Sequence, residues 1–256
     1  MVTQLERPER DEPDRFCASW QAQRETLSSC TTECRARNVV VFLLDAPLSL
    51  QEYVTHKKVT FAEISRAVAG LISGRRDVVV FGAHAVNAYA REERMTSDID
   101  VMSTNAAGLA EEIRACLAKE FHISVRVRSM TKRGAGFRVY QLMKPKNRPL
   151  VDVRQEDHLP DSVSKRGVRF VEPAALLAMK VISYVARRNQ IKGDTDRVDI
   201  RRMLEAFPEL RKLQGKVTNK LLAEGASSQP LQDPSAVLEA WHGFVNERLD
   251  PDDDEY

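Results

Sequence analysis

Several features are missing from this 256-residue chain, and each absence narrows its possible roles. The charge is not lopsided: 39 Lys and Arg stand against 37 Asp and Glu, so the overall balance makes no case for a polyanionic partner, and such a case must rest on local clustering. No long apolar run occurs. The stretch Val39–Leu44 is far short of the about 20 residues that span a bilayer, and no membrane role is expected. Paired cysteines are also missing, since Cys17, Cys30, Cys34 and Cys116 form no C-x-x-C. Cys30 and Cys34 lack the nearby second pair that a structural metal site would use. With a polar, charged first twenty residues and no secretory signal, the thiols suggest a reduced, cytoplasmic protein. Internal repeats are absent too.

What is present suits a soluble globular protein: 43% hydrophobic and 30% charged residues. The length allows one substantial core, or a catalytic domain with helical additions. Residues 1–60 mix charge with Ser, Thr and Pro and read as an arm of uncertain order, apart from a short strand at Val39–Leu44. Helical periodicity then runs over Phe61–Ile72, with Gly74 ending the helix. The β-branched run Val78–Phe81 predicts a buried strand, followed at once by Gly82 and a helix over Ala83–Arg91.

Further strands are expected at Asp98–Met102, His122–Arg128, Phe137–Leu142, Leu150–Val153 and Val168–Val171, with a helix at Ala106–Lys119. The second and third of these strands pair across a glycine-containing turn. Glu172 and Pro173 open a long helix to about Arg188, and helical patterns continue through Val198–Leu204 and Val237–Val245. The tail 250–256 is acidic and expected to be disordered. The chain therefore divides into the arm 1–60, a core 61–171, a helical region 172–249 and the tail 250–256. The fold class is α/β, a small twisted mixed sheet flanked by helices and followed by a helical C-terminal part.

Chemistry concentrates on a few residues. On one strand Asp98 and Asp100 would project to the same face with Ile99 turned into the core. Two carboxylates so placed suit a shared Mg²⁺ site, because Mg²⁺ is a hard cation that takes oxygen ligands. The Asp-x-Asp spacing alone is uninformative, since it also occurs at 194/196, 250/252 and 252/254. The first instance differs by its setting: it alone lies in an apolar strand shortly after a strand-glycine-helix turn, whose backbone N–H groups can receive phosphate. Asp152, between Val151 and Val153, is the natural third ligand; the alternative is a carboxylate that simply faces solvent.

From Phe121 to Val151 there are eight Lys or Arg residues and no Asp or Glu, either a solvated hairpin face or a surface for phosphates. His84 reads as a helix-face residue in preference to a general base.

These residues resemble a known family. The run Gly82-Ala83-His84-Ala85-Val86-Asn87-Ala88-Tyr89, then Arg94-x-Thr96-x-Asp98-Ile99-Asp100, is similar to the signature of DNA polymerase β-like nucleotidyltransferases, in the AbiEii-type variant. The likeness extends through Leu177-Ala178-Met179-Lys180, with Arg187 or Arg188, to Asp196-Arg197-Val198-Asp199-Ile200, and covers roughly residues 61–206.

The resemblance implies a Mg²⁺-dependent enzyme that moves a nucleoside monophosphate from an NTP to an acceptor hydroxyl. Gly82 and Ala83 would hold the triphosphate at a helix N-terminus. Asp98, Asp100 and Asp152 would bind metal, with Asp152 accepting the acceptor's proton. Lys180 would contact phosphates, and Asp196 would orient the lysine or the substrate; a surface lysine and a helix N-terminal charge explain those two residues equally well. Arg94 and Thr96 either orient the turn before the carboxylates or, for Arg94, touch phosphate. One departure stands out: Gly82-Ala83 replaces the usual Gly-Gly or Gly-Ser, so a hydroxyl that bonds phosphate is missing.

The implied acceptor is RNA, a tRNA 3′ end among the candidates, in a type IV toxin-antitoxin setting with a cognate antitoxin. The alternatives are a small-molecule (antibiotic) nucleotidyltransferase and a non-catalytic nucleotide- or protein-binding module. A module without metal has no physical reason to gather three acids, since their mutual repulsion raises pKa values and destabilises the fold.

Overall fold

The chain is described by a computed structural model covering residues 59–130, 136–225 and 233–247, all within one compact unit. The arm, the Val39–Leu44 strand, Cys17, Cys30, Cys34, the hairpin turn at 131–135 and the acidic tail lie outside the described residues.

Helix α1 (Phe61–Ile72) begins with a capping box, in which the Glu63 amide donates to Thr60 Oγ1 at 3.3 Å and the Thr60 amide donates to Glu63 Oε2 at 2.8 Å. It buries Ile64, Val68 and Ile72 at helical spacing. Then follow β1 (Val78–Phe81), α2 (Gly82–Tyr89), β2 (Ile99–Ser103), α3 (Ala106–Phe121), β3 (Val125–Ser129), β4 (Gly136–Gln141), β5 (Arg148–Gln155), β6 (Ser162–Lys165) and β7 (Val168–Val171). The C-terminal part is helical: α4 (Pro173–Ala186), α5 (Ile191–Ala206), a 3₁₀ turn at Pro208–Leu210, α6 (Lys216–Gly225) and α7 (Pro234–Asn246).

The seven strands form one open sheet in the order β3-β4-β5-β2-β1-β7-β6. It is mixed: β2 pairs in parallel with β5 and β1 with β7, while the remaining pairs are antiparallel. Strand alternation splits the apolar residues into two cores. On one face Val80, Val101, Val127, Val139, Val151 and Val153 meet Leu109, Ile113 and Leu117 of α3 and the apolar stripe of α1. On the other, Val79 and Val171 meet α2, α4, α5, α6 and α7, with Trp241 fully buried. The second core sits over β1 and β7, so α4 rises as a wall at the edge of the face formed by β2, β5, β4 and β3. That is the α/β class expected from the sequence.

Several boundaries differ from the sequence reading. The strand expected to start at Asp98 starts at Ile99, and Asp98 occupies the bend before it. Helix α2 includes Gly82 and stops at Tyr89 instead of Arg91, because Ala90 has already turned extended (φ −70, ψ 155). Helix α5 begins at Ile191, well before the expected Val198. Its first turns lack an apolar stripe because the positions they turn inward are Gly193, Asp196 and Asp199. Strand β6, Ser-Val-Ser-Lys, is an exposed edge strand with no hydrophobic alternation to announce it.

Candidate active site

The sheet register assembles the site. Phe81 on β1 is opposite Asp100 on β2, Asp100 is opposite Asp152 on β5, Asp152 is opposite Arg138 on β4, and Arg138 is opposite Arg128 on β3. Register partners on neighbouring strands share a face. One row across five strands therefore reads aromatic, acid, acid, base, base. The row lies on the face away from α3.

Asp100 and the start of α2 are in intimate contact. Gly82 has φ +66, and a Cβ added there would lie 2.2 Å from Asp100 Oδ2. Only a residue without a side chain takes this conformation freely and admits the carboxylate so closely. Phe81 caps α2 with no side-chain hydrogen bond, so the first amides, those of Gly82 and Ala83 among them, carry the unpaired donors and positive end of the helix. Burial, followed by the negative charges of Asp98 and Asp152, pushes the Asp100 carboxyl up to about 7, against the opposing pull of Lys180 and Arg154. Arg154 lies two residues beyond Asp152 on β5, and its guanidinium stacks 4.7 Å from the Phe81 ring centroid.

Asp98 accepts a hydrogen bond on its carboxylate from the Ser97 hydroxyl at 3.3 Å, and its carbonyl accepts from Thr96 Oγ1 at 3.2 Å. Thr96 thus braces the turn. Arg94 does the same from a distance: its Nε and Nη2 donate to the two oxygens of Asp199 at 2.6 and 2.8 Å, and Asn87 holds its backbone from both sides. Its guanidinium is engaged by Asp199, and Arg94 is not among the residues that line the cavity over Asp100.

Lys180 on α4 is buried at 8% exposure. Its ammonium donates to Asp196 Oδ1 at 3.1 Å and Asp199 Oδ2 at 2.7 Å, while Arg187 donates to Asp196 Oδ2 at 2.6 Å. The surface-lysine alternative is excluded by that burial. Asp199, which the sequence reading quoted within a motif without giving it a role, is the hub: it is fully buried and also lies 3.5 Å from Arg202. Burial alone would push its carboxyl up, but the hydrogen bond from Arg94 and the charge and hydrogen bond of Lys180 hold it below the usual range. Its place one helical turn after Asp196, with Ile200 next, was the available signal.

Asp152 takes a bidentate ion pair from Arg138, whose Nε and Nη2 face both carboxylate oxygens. That pairing holds the guanidinium's proton more firmly than usual. His84 packs its ring 5.4 Å from that of Phe61, and burial pushes its pKa below the ordinary value.

A cavity of about 670 Å³ opens over Asp100; Asp98 and Asp152 are not among its lining residues. Phe81, Gly82 and Asp100 form its floor, Arg154, Glu156 and His158 one side, and Met179, Lys180 and Ser183 of α4, with Arg187 just after it, the other. Its polar groups are hard oxygen donors and cations, the set that accepts a polyphosphate with a divalent cation. The negative charges of Asp98 and Asp152 act on buried Asp100, the kind of repulsion a cation relieves, and the three carboxylates are the oxygen donors that Mg²⁺ takes. Among the described residues, no three His, Cys, Asp or Glu side chains are already drawn together as an ion-ready cluster.

No protein-family profile matches the chain, and no curated protein does either. Solved structures do. The Megavirus polyadenylate synthase is similar over 89% of this chain and 46% of its own, with 11% identity and a TM-score of 0.47. The nucleotidyltransferase toxin MenT4 of Mycobacterium tuberculosis covers 75% of this chain and 91% of its own, at 12% identity and 0.34. An antigenic nucleotidyltransferase-like protein of Paracoccidioides brasiliensis covers 76% and 95%, at 20% identity and 0.37. These structural neighbours are nucleotidyltransferases. At these identities and TM-scores the likeness carries no conclusion about this chain's activity or substrate.

Proposed function

We propose that this protein is a Mg²⁺-dependent nucleotidyltransferase that moves a nucleoside monophosphate from an NTP to an acceptor hydroxyl. The observation that carries this reading is the pairing of Asp100 with Asp152 on adjacent parallel strands, beside a glycine that leaves the α2 amides open to phosphate. The acceptor oxygen attacks the α-phosphorus, the bond between the α-phosphorus and its bridging oxygen breaks, and pyrophosphate leaves with that oxygen. The hydroxyl proton passes to Asp152.

Each residue has a share in this scheme. The Gly82 and Ala83 amides receive the triphosphate, and backbone donation replaces the hydroxyl that Ala83 lacks. Asp98, Asp100 and Asp152 are the residues that would hold Mg²⁺, which when bound neutralises charge on the phosphates and the leaving oxygen. Lys180 faces the cavity from α4 and balances phosphate charge, with Asp196 and Asp199 fixing its ammonium. Arg94 and Thr96 keep the turn before Asp98 in place.

For the acceptor we propose RNA, tRNA 3′ ends in particular. Arg126, Arg128, Arg138 and Tyr140 share the side of β3 and β4 opposite α3, next to Asp152. Such a strip binds phosphates without reading sequence. A cytoplasmic toxin held in check by an antitoxin is the setting that fits this chemistry.

The test is to incubate the protein with Mg²⁺ and each α-labelled NTP, with and without total RNA, and to follow label and pyrophosphate. Asp98→Ala should abolish transfer; label that moves equally well in this variant refutes the site. Label on RNA, with binding that weakens steeply as salt rises, supports the acceptor. Transfer to a small hydroxylated molecule, with little salt dependence, replaces RNA as acceptor and leaves the chemistry standing.

A further inference from the structure

We propose that Arg138 is a latch on Asp152 that a phosphate of the acceptor opens. The inference rests on the transfer reading above and adds a residue and a regulatory step to it. Arg138 and Asp152 are opposite one another on β4 and β5, and the guanidinium engages both carboxylate oxygens. In this state the charge that Asp152 would lend to a divalent cation is already neutralised, and both oxygens are in use.

The pair is lopsided in a way a purely structural ion pair need not be. The Asp152 side chain is 13% exposed and shares its sheet face with Asp100, its register partner on β2, while the Arg138 side chain is 35% exposed and belongs to the basic strip. Arg128, its neighbour in the row, is exposed, and Tyr140 is half-buried on the same side. A phosphodiester arriving on this strip meets Arg138 with the same planar fork that now holds the carboxylate, since guanidinium binds both anions in bidentate fashion.

Transfer of the fork from Asp152 to phosphate leaves Asp152 without its ion-pair partner, with both oxygens and its charge available alongside Asp98 and Asp100. Their combined pull on a divalent ion then rises. Acceptor and cation are coupled through one side chain, and the coupling is reciprocal. The device would keep a nucleotide-loaded site from spending its NTP on water before an acceptor is seated.

The experiment measures Mn²⁺ binding to the full chain by electron paramagnetic resonance, without NTP. It is run alone and with a short oligoribonucleotide ending in a 3′-deoxynucleotide, after subtraction of the oligonucleotide's own Mn²⁺ uptake. Wild type should bind Mn²⁺ weakly alone and about 10-fold more tightly with the oligonucleotide, a coupling of ordinary size. Arg138→Gln should bind at the tightened level alone, and the oligonucleotide should add nothing further. Circular dichroism and urea unfolding establish that the variant is folded; if it is not, Arg138→Lys takes its place and should show the same change in smaller degree.

Equal Mn²⁺ affinity in wild type and variant overturns the latch but leaves the metal site and the transfer reading intact, provided that Asp98→Ala abolishes the binding. Tightening by the oligonucleotide that persists in the variant also overturns it. Failure of every form to bind Mn²⁺ refutes the latch and the metal reading together.

Discussion

Gly82 and Asp100 approach so closely that position 82 has no room for a side chain: a Cβ there would sit 2.2 Å from Oδ2 and 2.9 Å from Cγ of the aspartate. The backbone at Gly82 is also left-handed, at φ +66. Gly82→Ala therefore meets steric and conformational obstacles at once. It should lower stability by about 1–3 kcal/mol and reduce NTP binding by more than the stability loss explains, because the α2 amides are displaced. Urea unfolding and nucleotide titration of one preparation measure both; a variant that binds NTP like wild type removes the α2 N-terminus from the phosphate site.

Asp199 is fully buried and receives Arg94 and Lys180 together. Replacing it by Asn leaves Arg94 without its carboxylate and buried Lys180 with Asp196 alone, and should destabilise the fold by about 3–5 kcal/mol. In a double-mutant cycle with Arg94→Met the losses should be far from additive, since each residue is the other's partner. Additive losses measured by chemical denaturation would show that Arg94 and Asp199 act independently.

Asp100 gives the metal-free protein a definite pH response. Its carboxyl is pushed up to about 7, while in the unfolded chain it titrates in the ordinary range near 3.8. Between those values the folded state keeps a proton that the unfolded state has lost, so stability falls as pH rises through the window and levels off above it. Asp100→Asn should thus be more stable than wild type at pH 8 in chelator, and the advantage should vanish near pH 4. Parallel unfolding curves at all pH values would show that Asp100 does not carry the proton.

Glu247 behaves in the opposite sense. The hydrogen bond from Arg201, then that from Arg197, holds its carboxyl down at about 2 against an ordinary 4.5. Its contribution to stability is present above the ordinary value and is lost as pH falls toward about 2. Arg197 is exposed and Arg201 and Glu247 are half-buried, so solvent screens the ion pairs; Glu247→Gln should lower stability at pH 7 by less than about 1 kcal/mol, and the difference from wild type should disappear in acid. A constant difference down to pH 2 would assign the effect to packing of the α7 end.

Much of this protein was legible from local pattern. Val78–Phe81 followed by Gly82 announced the strand and the turn, because a β-branched run and a glycine at a positive-φ turn are short-range requirements. Periodicity over Phe61–Ile72 and the Glu172-Pro173 start of α4 were equally plain. The candidate acids were also visible, as carboxylates set among Ile and Val where an isolated charge is costly.

Other features needed the folded chain. Alternation along β5 assigns Asp152 to a face, but it does not say which residue lies opposite on the next strand; the parallel register with β2 put Asp100 there, and the antiparallel register with β4 put Arg138 there. Helix α5 was misjudged at its start because its inward positions are charged, and those charges become intelligible only once Lys180, Arg94 and Arg187 arrive from elsewhere in the chain to neutralise them. Period and propensity follow from neighbours along the chain. Ion pairs and strand registers join residues far apart along it, and the electrostatics of the site depends on those distant pairings.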